Sequence, residues 1–325
     1  MTTLYLDRRD LALKLEGKAL AVYAGDTRQT TVPLHLLERV VMRSTVTLES
    51  GILARLAANG IGVLVFGGWN GTRVATVQGA AHNDAARRIG QYRHYGDAAW
   101  RRQWAQRLVL GKLQGQSRLI GRGLLQRPDL RRTLTETQDR LKAARARLRA
   151  EPQLSLETLR GIEGAAAVAY FGGLGALLPA SLGFTGRNRR PPRDPVNAVL
   201  SLGYTMLHFE AVRACQVAGL DPLIGYYHDL VFGRESLACD LIEPLRPRLD
   251  AWAWEQFRTR ALTDEHFSRE NDACLLGKTG RQHFYRAYEP FVRPLRRLLR
   301  RFTGKLAMHL STAGSAPERC AEECA

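Results

Sequence analysis

Glu163 within Gly161-Ile162-Glu163-Gly164, His228 after Gly225-Tyr226-Tyr227, and Asp240 twelve residues beyond that histidine are the side chains best suited to hold a metal ion. Glu243 follows Asp240 by about one helical turn, inside the segment running from Ser236 to Pro247. Carboxylate oxygens with one imidazole favour Mg2+ or Mn2+ over zinc, because carboxylates prefer hard ions and no thiolate joins the set. An ion held by Glu163, His228 and Asp240 would bind a phosphate oxygen and activate water or a 3′-hydroxyl. Taken singly, each of these residues is more often a surface carboxylate or a satisfied core histidine.

The basic balance of the chain adds a substrate class. Its 325 residues carry 48 Lys and Arg against 31 Asp and Glu, a formal charge of +17, which favours a polyanion through phosphate contacts and counterion release. Cutting or joining nucleic acid is the chemistry these two observations share. The length predicts two domains, and a hydrophobic content of 45% is that of an ordinary globular protein. No apolar run reaches the roughly 18 residues of a membrane span, so no membrane association is expected.

The five cysteines, Cys215, Cys239, Cys274, Cys320 and Cys324, are odd in number and form no CxxC pair, so a reducing cytoplasm is the expected home. Cys320 and Cys324 stand in a terminal stretch, residues 314–325, expected to be a flexible tail.

Short apolar runs at Thr3-Leu6, Leu11-Leu15, Ala19-Tyr23, Thr30-Leu34, Val40-Met42, Ile61-Phe66 and Arg73-Val77 predict strands, with a turn at Gly68-Trp69-Asn70-Gly71. One helix, from a Ser50 cap to Gly60, interrupts them. After about residue 82 the texture changes to Ala, Leu, Arg and Gln at helical spacing, as in Ala98-Leu125 and Leu130-Leu148. The fold class is therefore α+β, with a small β domain over residues 1–82 and a larger all-α catalytic domain over residues 83–313. Pro152 precedes the helix that carries Glu163. Asp194-Pro195 caps and opens another, to about Ala218, and Ser236 is the expected cap of a third. Pro244 and Pro247 remove amide donors, so a helix holding Asp240 and Glu243 on one face is expected to kink there.

Four ordered blocks resemble the CRISPR adaptation integrase family, CRISPR-associated protein one. They are Gly-x-Glu-Gly-x-x-Ala-x-x-Tyr-Phe at Gly161-Phe171, Asn-x-x-Leu-Ser-x-Gly-Tyr at Asn197-Tyr204, Gly-Leu-Asp-Pro-x-x-Gly-x-x-His at Gly219-His228, and Ser-Leu-x-x-Asp-Leu-x-Glu-x-x-Arg-Pro at Ser236-Pro247. The resemblance implies metal ligands at Glu163, His228 and Asp240, with Glu243 as a supporting acid. It also implies a homodimer through the β domain and a small ferredoxin-like partner, CRISPR-associated protein two. The implied activity inserts short foreign DNA segments into a repeat array by 3′-hydroxyl transesterification, with metal-dependent endonuclease activity as the related hydrolysis. Replacing Glu163, His228 or Asp240 by alanine is expected to abolish strand transfer and spare the fold.

Two arginine groups are candidate DNA contacts: Arg187, Arg189, Arg190 and Arg193 in a polar loop, and Arg293, Arg296, Arg297, Arg300 and Arg301 along a helix. A solvated basic face is the plainer account of either. Gly277-Lys278-Thr279 lacks the earlier glycine of a phosphate-binding loop, where Asp272 stands, and no clear strand is expected before it. Two rival functions remain: a non-catalytic basic DNA-binding scaffold, which would show no metal-dependent strand chemistry, and a small-molecule phosphohydrolase, which the charge disfavours.

Overall fold

The computed structural model describes residues 2–43, 45–67, 73–79, 82–188 and 191–312. The turn expected at Gly68-Gly71, the tail over residues 314–325 with Cys320 and Cys324, and Arg189 and Arg190 lie outside the described residues. The chain divides into two compact units, residues 1–81 and residue 82 onward.

The first unit holds eight strands and one α-helix among its described residues: β1 (Thr2–Leu6), β2 (Leu11–Glu16), β3 (Ala19–Ala24), β4 (Thr27–Pro33), β5 (Leu37–Met42), β6 (Val46–Leu48), α1 (Ser50–Ala58), β7 (Gly62–Gly67) and β8 (Arg73–Val77). They form two four-stranded sheets, ordered β1-β5-β7-β8 and β4-β3-β2-β6. Gly17 and Gly25, at φ 61° and 59°, supply the left-handed residues of the β2–β3 and β3–β4 turns. Alternate residues such as Leu11, Leu13, Leu20 and Val22 join Val40, Val63 and the α1 residues Ile52 and Leu56 in one apolar core. Three details differ from expectation. Strand β4 begins at Thr27 rather than Thr30 because Gly25 turns the chain tightly and Thr27-Arg28-Gln29 continue as an exposed edge. Strand β6 is only three residues long, too short for any periodicity. Ser50 is the first helical residue, behind Glu49 in the capping position.

The second unit is built from α2 (Ala85–Gly96), α3 (Ala98–Gln126), α4 (Arg131–Ala150), α5 (Leu156–Leu177), α6 (Pro195–Val217), α7 (Ser236–Ile242), α8 (Arg246–Arg258) and α9 (Lys278–Thr312). Side chains of Asp84, Asp97, Ser155 and Asp194 accept backbone N–H bonds at the starts of α2, α3, α5 and α6, each worth about 1 kcal/mol. A hairpin of β9 (Phe267–Glu270) and β10 (Ala273–Leu276) qualifies the all-α expectation. Its turn uses Asn271 and Asp272 at positive φ, the conformation of a type I′ turn, which Asn and Asp tolerate. A strand therefore does precede Gly277. The nucleotide-loop reading fails instead on its residues, since Asp272 sits in that tight turn.

No helix among the described residues is long and apolar enough to cross a membrane. Cys215, Cys239 and Cys274 are free thiols.

Candidate metal centre

Glycines in α3 bring the carboxylate-bearing segment close. A Cβ on Gly111 would stand 3.4 Å from Pro244 Cβ, and one on Gly115 would stand 3.0 Å from Pro247 Cβ. The bare helix face between them accepts both prolines, and Lys112 lies on that stretch of α3. The same prolines break the following segment. Helix α7 stops at Ile242, a 3-10 turn spans Glu243–Leu245, and α8 restarts at Arg246, while Asp240 and Glu243 both still reach His228.

Asp240 is fully buried beneath the loop that carries His228. Its Oδ2 accepts the backbone N–H groups of Tyr226 (2.7 Å) and Tyr227 (3.0 Å) and the Trp104 indole N–H (3.2 Å). Its Oδ1 accepts the His228 backbone N–H (3.0 Å) and Nδ1 (2.7 Å). Both oxygens are thereby committed to donors. A proton on Nδ1 leaves Nε2 as the lone-pair nitrogen, directed away from Asp240. Gly225 makes this loop possible, because a Cβ there would come within 2.6 Å of the Ser236 backbone. Arg101 donates to Tyr226 O and Arg160 to Tyr227 O, and both guanidiniums also reach Asp229, so α3 and α5 clamp the loop.

Glu163, in the second turn of α5, accepts from Lys112 Nζ through Oε1 and from the Tyr227 hydroxyl, at 3.1 Å, through Oε2. Lys112 Nζ also lies 2.6 Å from Glu243 Oε2, while Arg246 Nε stands 3.0 Å from Glu243 Oε1. His228 Nε2 is 3.9 Å from Glu243 Oε1. Burial alone would raise the Glu243 pKa, but Arg246, Lys112 and then His228 outweigh it and hold it at about 2. Burial likewise opposes the charge on Lys112, and Glu243 and Glu163 more than restore it. Below this layer, Asp250 accepts from the Tyr170 hydroxyl at 2.7 Å and from that of Tyr204. Arg246 lies 4.8 Å over the Tyr204 ring.

The donor set fits a hard divalent ion. The Lys112 cation bridges the two glutamates, His228 Nε2 lies 3.9 Å from Glu243 Oε1, and Glu243 Oε2 is buried without an aligned hydrogen-bond donor. Among the described residues no three His, Cys, Asp or Glu side chains are close enough in this arrangement to hold a metal, because the Lys112 ammonium stands between the glutamates. The residues that would hold such an ion are Glu163, His228 and Glu243. Asp240, read from sequence as a ligand, is placed here as the acceptor that orients His228, and Glu243, read as supporting, faces Nε2.

The family model for CRISPR associated protein Cas1 matches residues 4–290. The chain belongs to the Cas1 family. The CRISPR-associated endonuclease Cas1 1 of Thermodesulfovibrio yellowstonii is 36% identical over 92% of this chain and 94% of its own length. Two solved structures share the Cas1 fold at lower identity. A casposase bound to integration product gives a TM-score of 0.80 at 20% identity, covering 100% of this chain and 96% of its own. The Cas6-RT-Cas1 chain of a complex with Cas2 gives 0.78 at 23%, covering 97% of this chain and 36% of its own.

Of the arginines singled out in this Cas1 family member, Arg296 does not face solvent. It is 6% exposed and pairs with Glu210 and Glu289 at 2.8 Å, so it is a core ion pair of α6 and α9 rather than a DNA contact. Arg187 donates to Asn197 Oδ1 (2.6 Å) and Ser201 Oγ (3.1 Å) and tethers its loop to α6. Arg193, Arg293, Arg297, Arg300 and Arg301 are exposed. Lys112 and Trp104 were not read from the sequence as site residues. The one signal for Lys112 is a lysine between two α3 glycines in a chain whose basic residues are mostly arginine.

Proposed function

We propose that this chain is a metal-dependent DNA endonuclease and integrase that joins short foreign DNA segments to a CRISPR array. The observation that carries the reading is a buried cationic position, Lys112 Nζ, shared by Glu163 and Glu243, with His228 Nε2 3.9 Å from the other oxygen of Glu243. Glu163, His228 and Glu243 would hold Mg2+ or Mn2+. Asp240 fixes the imidazole through Nδ1, Arg246 holds Glu243 ionised, and Tyr227 holds the second oxygen of Glu163. A divalent ion bound there supplies charge neutralisation at a phosphate oxygen and acidifies the attacking hydroxyl or water.

In strand transfer, the 3′-hydroxyl oxygen forms a new bond to phosphorus as one existing P–O bond breaks, and the departing strand end takes a proton. With water as the nucleophile, the same displacement is hydrolysis. No external energy source is needed, because one phosphodiester replaces another. The charge of +17 supports DNA as the substrate, as do the casposase bound to integration product and the family's endonuclease names. The Cas1 chain in complex with Cas2 supports Cas2 as the partner. A homodimer through the first unit and a cytoplasmic setting complete the proposal.

The test is cleavage and joining of a labelled branched duplex with Mg2+, Mn2+ or EDTA, beside the His228→Ala variant and with and without Cas2. The expected result is metal-dependent activity lost in the variant. Inactivity under every condition with DNA binding intact would favour the scaffold reading.

A further inference from the structure

Lys112 occupies the position that a divalent ion would need. Its Nζ bonds Glu163 Oε1 and lies 2.6 Å from Glu243 Oε2, and its side chain is 13% exposed. A hard ion takes carboxylate oxygens at roughly 2.0–2.2 Å. An ammonium on those same oxygens would then stand within about 3–4 Å of a dication, a repulsion that little solvent is present to screen. From this geometry, and resting on the metal-centre reading above, we infer that Lys112 is a resident counter-cation that the divalent ion displaces. The ammonium pairs with two facing carboxylates and holds them aligned before loading, and loading is an exchange of one cation for another.

The residue type suits the role. A lysine is a compact charge on a flexible four-carbon stem and can withdraw, whereas an arginine fork would bind both carboxylates in fixed geometry. Arg246, on the other oxygen of Glu243, stacks on Tyr204 and stays in place.

Calorimetric titration of Mn2+ into full-length wild-type and Lys112→Met protein at pH 8, without DNA, tests the exchange. That pH keeps protons from replacing the lost ammonium. The variant is expected to bind Mn2+ about tenfold or more tightly than wild type, a shift of about 1.4 kcal/mol. Equal or weaker binding by a folded variant would overturn the inference and leave the metal reading standing. No Mn2+ binding by either protein would overturn both.

Amine acetylation of wild-type protein, read at Lys112 by peptide mass spectrometry, needs no variant. Saturating Mn2+ is expected to raise Lys112 labelling several-fold while Lys142, exposed on α4, is unchanged. Labelling of Lys112 that ignores bound Mn2+ would contradict displacement.

Discussion

Asp240 Oδ1 accepts a hydrogen bond from His228 Nδ1 at 2.7 Å, and the same carboxylate accepts three consecutive backbone N–H groups. Asp240 is thus the anchor of the histidine loop, and its loss has a structural cost that loss of Glu163 does not share. Asp240→Ala leaves those amides and the Trp104 indole without their acceptor. It is expected to destabilise the second unit by roughly 3–5 kcal/mol, whereas Glu163→Ala changes stability by less than about 1 kcal/mol. Thermal unfolding of both variants checks this. Equal, small losses would favour the sequence-based expectation that Asp240 is a metal ligand whose replacement spares the fold.

The two glycines flanking the site make opposite demands. Gly225→Ala places a methyl against the Ser236 backbone and is expected to cost about 1–3 kcal/mol by pushing the histidine loop off Asp240. Gly161→Ala meets open space on α5 and is expected to stabilise by up to about 1 kcal/mol through helix propensity. Denaturant midpoints of the pair would separate close packing from backbone entropy.

Asp250 gives the fold a pH dependence. Burial raises its pKa from 3.8 to about 6 against the opposing bonds from Tyr204 and Tyr170. Its contribution is therefore fully present below pH 3.8 and is lost as pH rises through about 6, a swing of about 3 kcal/mol. Wild type should lose stability relative to Asp250→Asn between pH 4.5 and 7.5. Parallel pH profiles for the two proteins would refute the assignment.

The α9 arginines divide by exposure. Replacing Arg293, Arg297 and Arg301 together by alanine is expected to weaken binding to all DNA sequences alike and to flatten its salt dependence. Arg296→Ala should instead destabilise the fold by roughly 3–5 kcal/mol, because it removes the buried cation that pairs with Glu210 and Glu289. Fluorescence anisotropy at several salt concentrations, with unfolding curves, distinguishes the two effects.

Much of this was legible in the sequence, and the exceptions share a cause. Glu163, His228, Asp240 and Glu243 were found as a set. The helix carrying Glu163 begins after Pro152 as expected, whereas the helix carrying Asp240 starts behind Glu235, with Ser236 as its first residue and not its cap. The division of labour between Asp240 and Glu243 was not legible, because a spacing of three suggests one helix face. The two residues differ because three amides of the histidine loop fold onto Asp240 while Lys112 and Arg246 face Glu243. Lys112 was hidden for a similar reason. Its role depends on Gly111 and Gly115 meeting Pro244 and Pro247 across the fold, a pairing no local pattern reports. The burial of Arg296 was equally hidden, since its partner Glu210 lies 86 residues away.

The most direct test is the anomalous difference density of Mn2+ in crystals of the full-length protein. The account predicts a peak within roughly 2.0–2.4 Å of Glu163, His228 Nε2 and Glu243, with Asp240 still bonded to His228 Nδ1. A peak coordinated directly by Asp240, or no peak at saturating Mn2+, would contradict it.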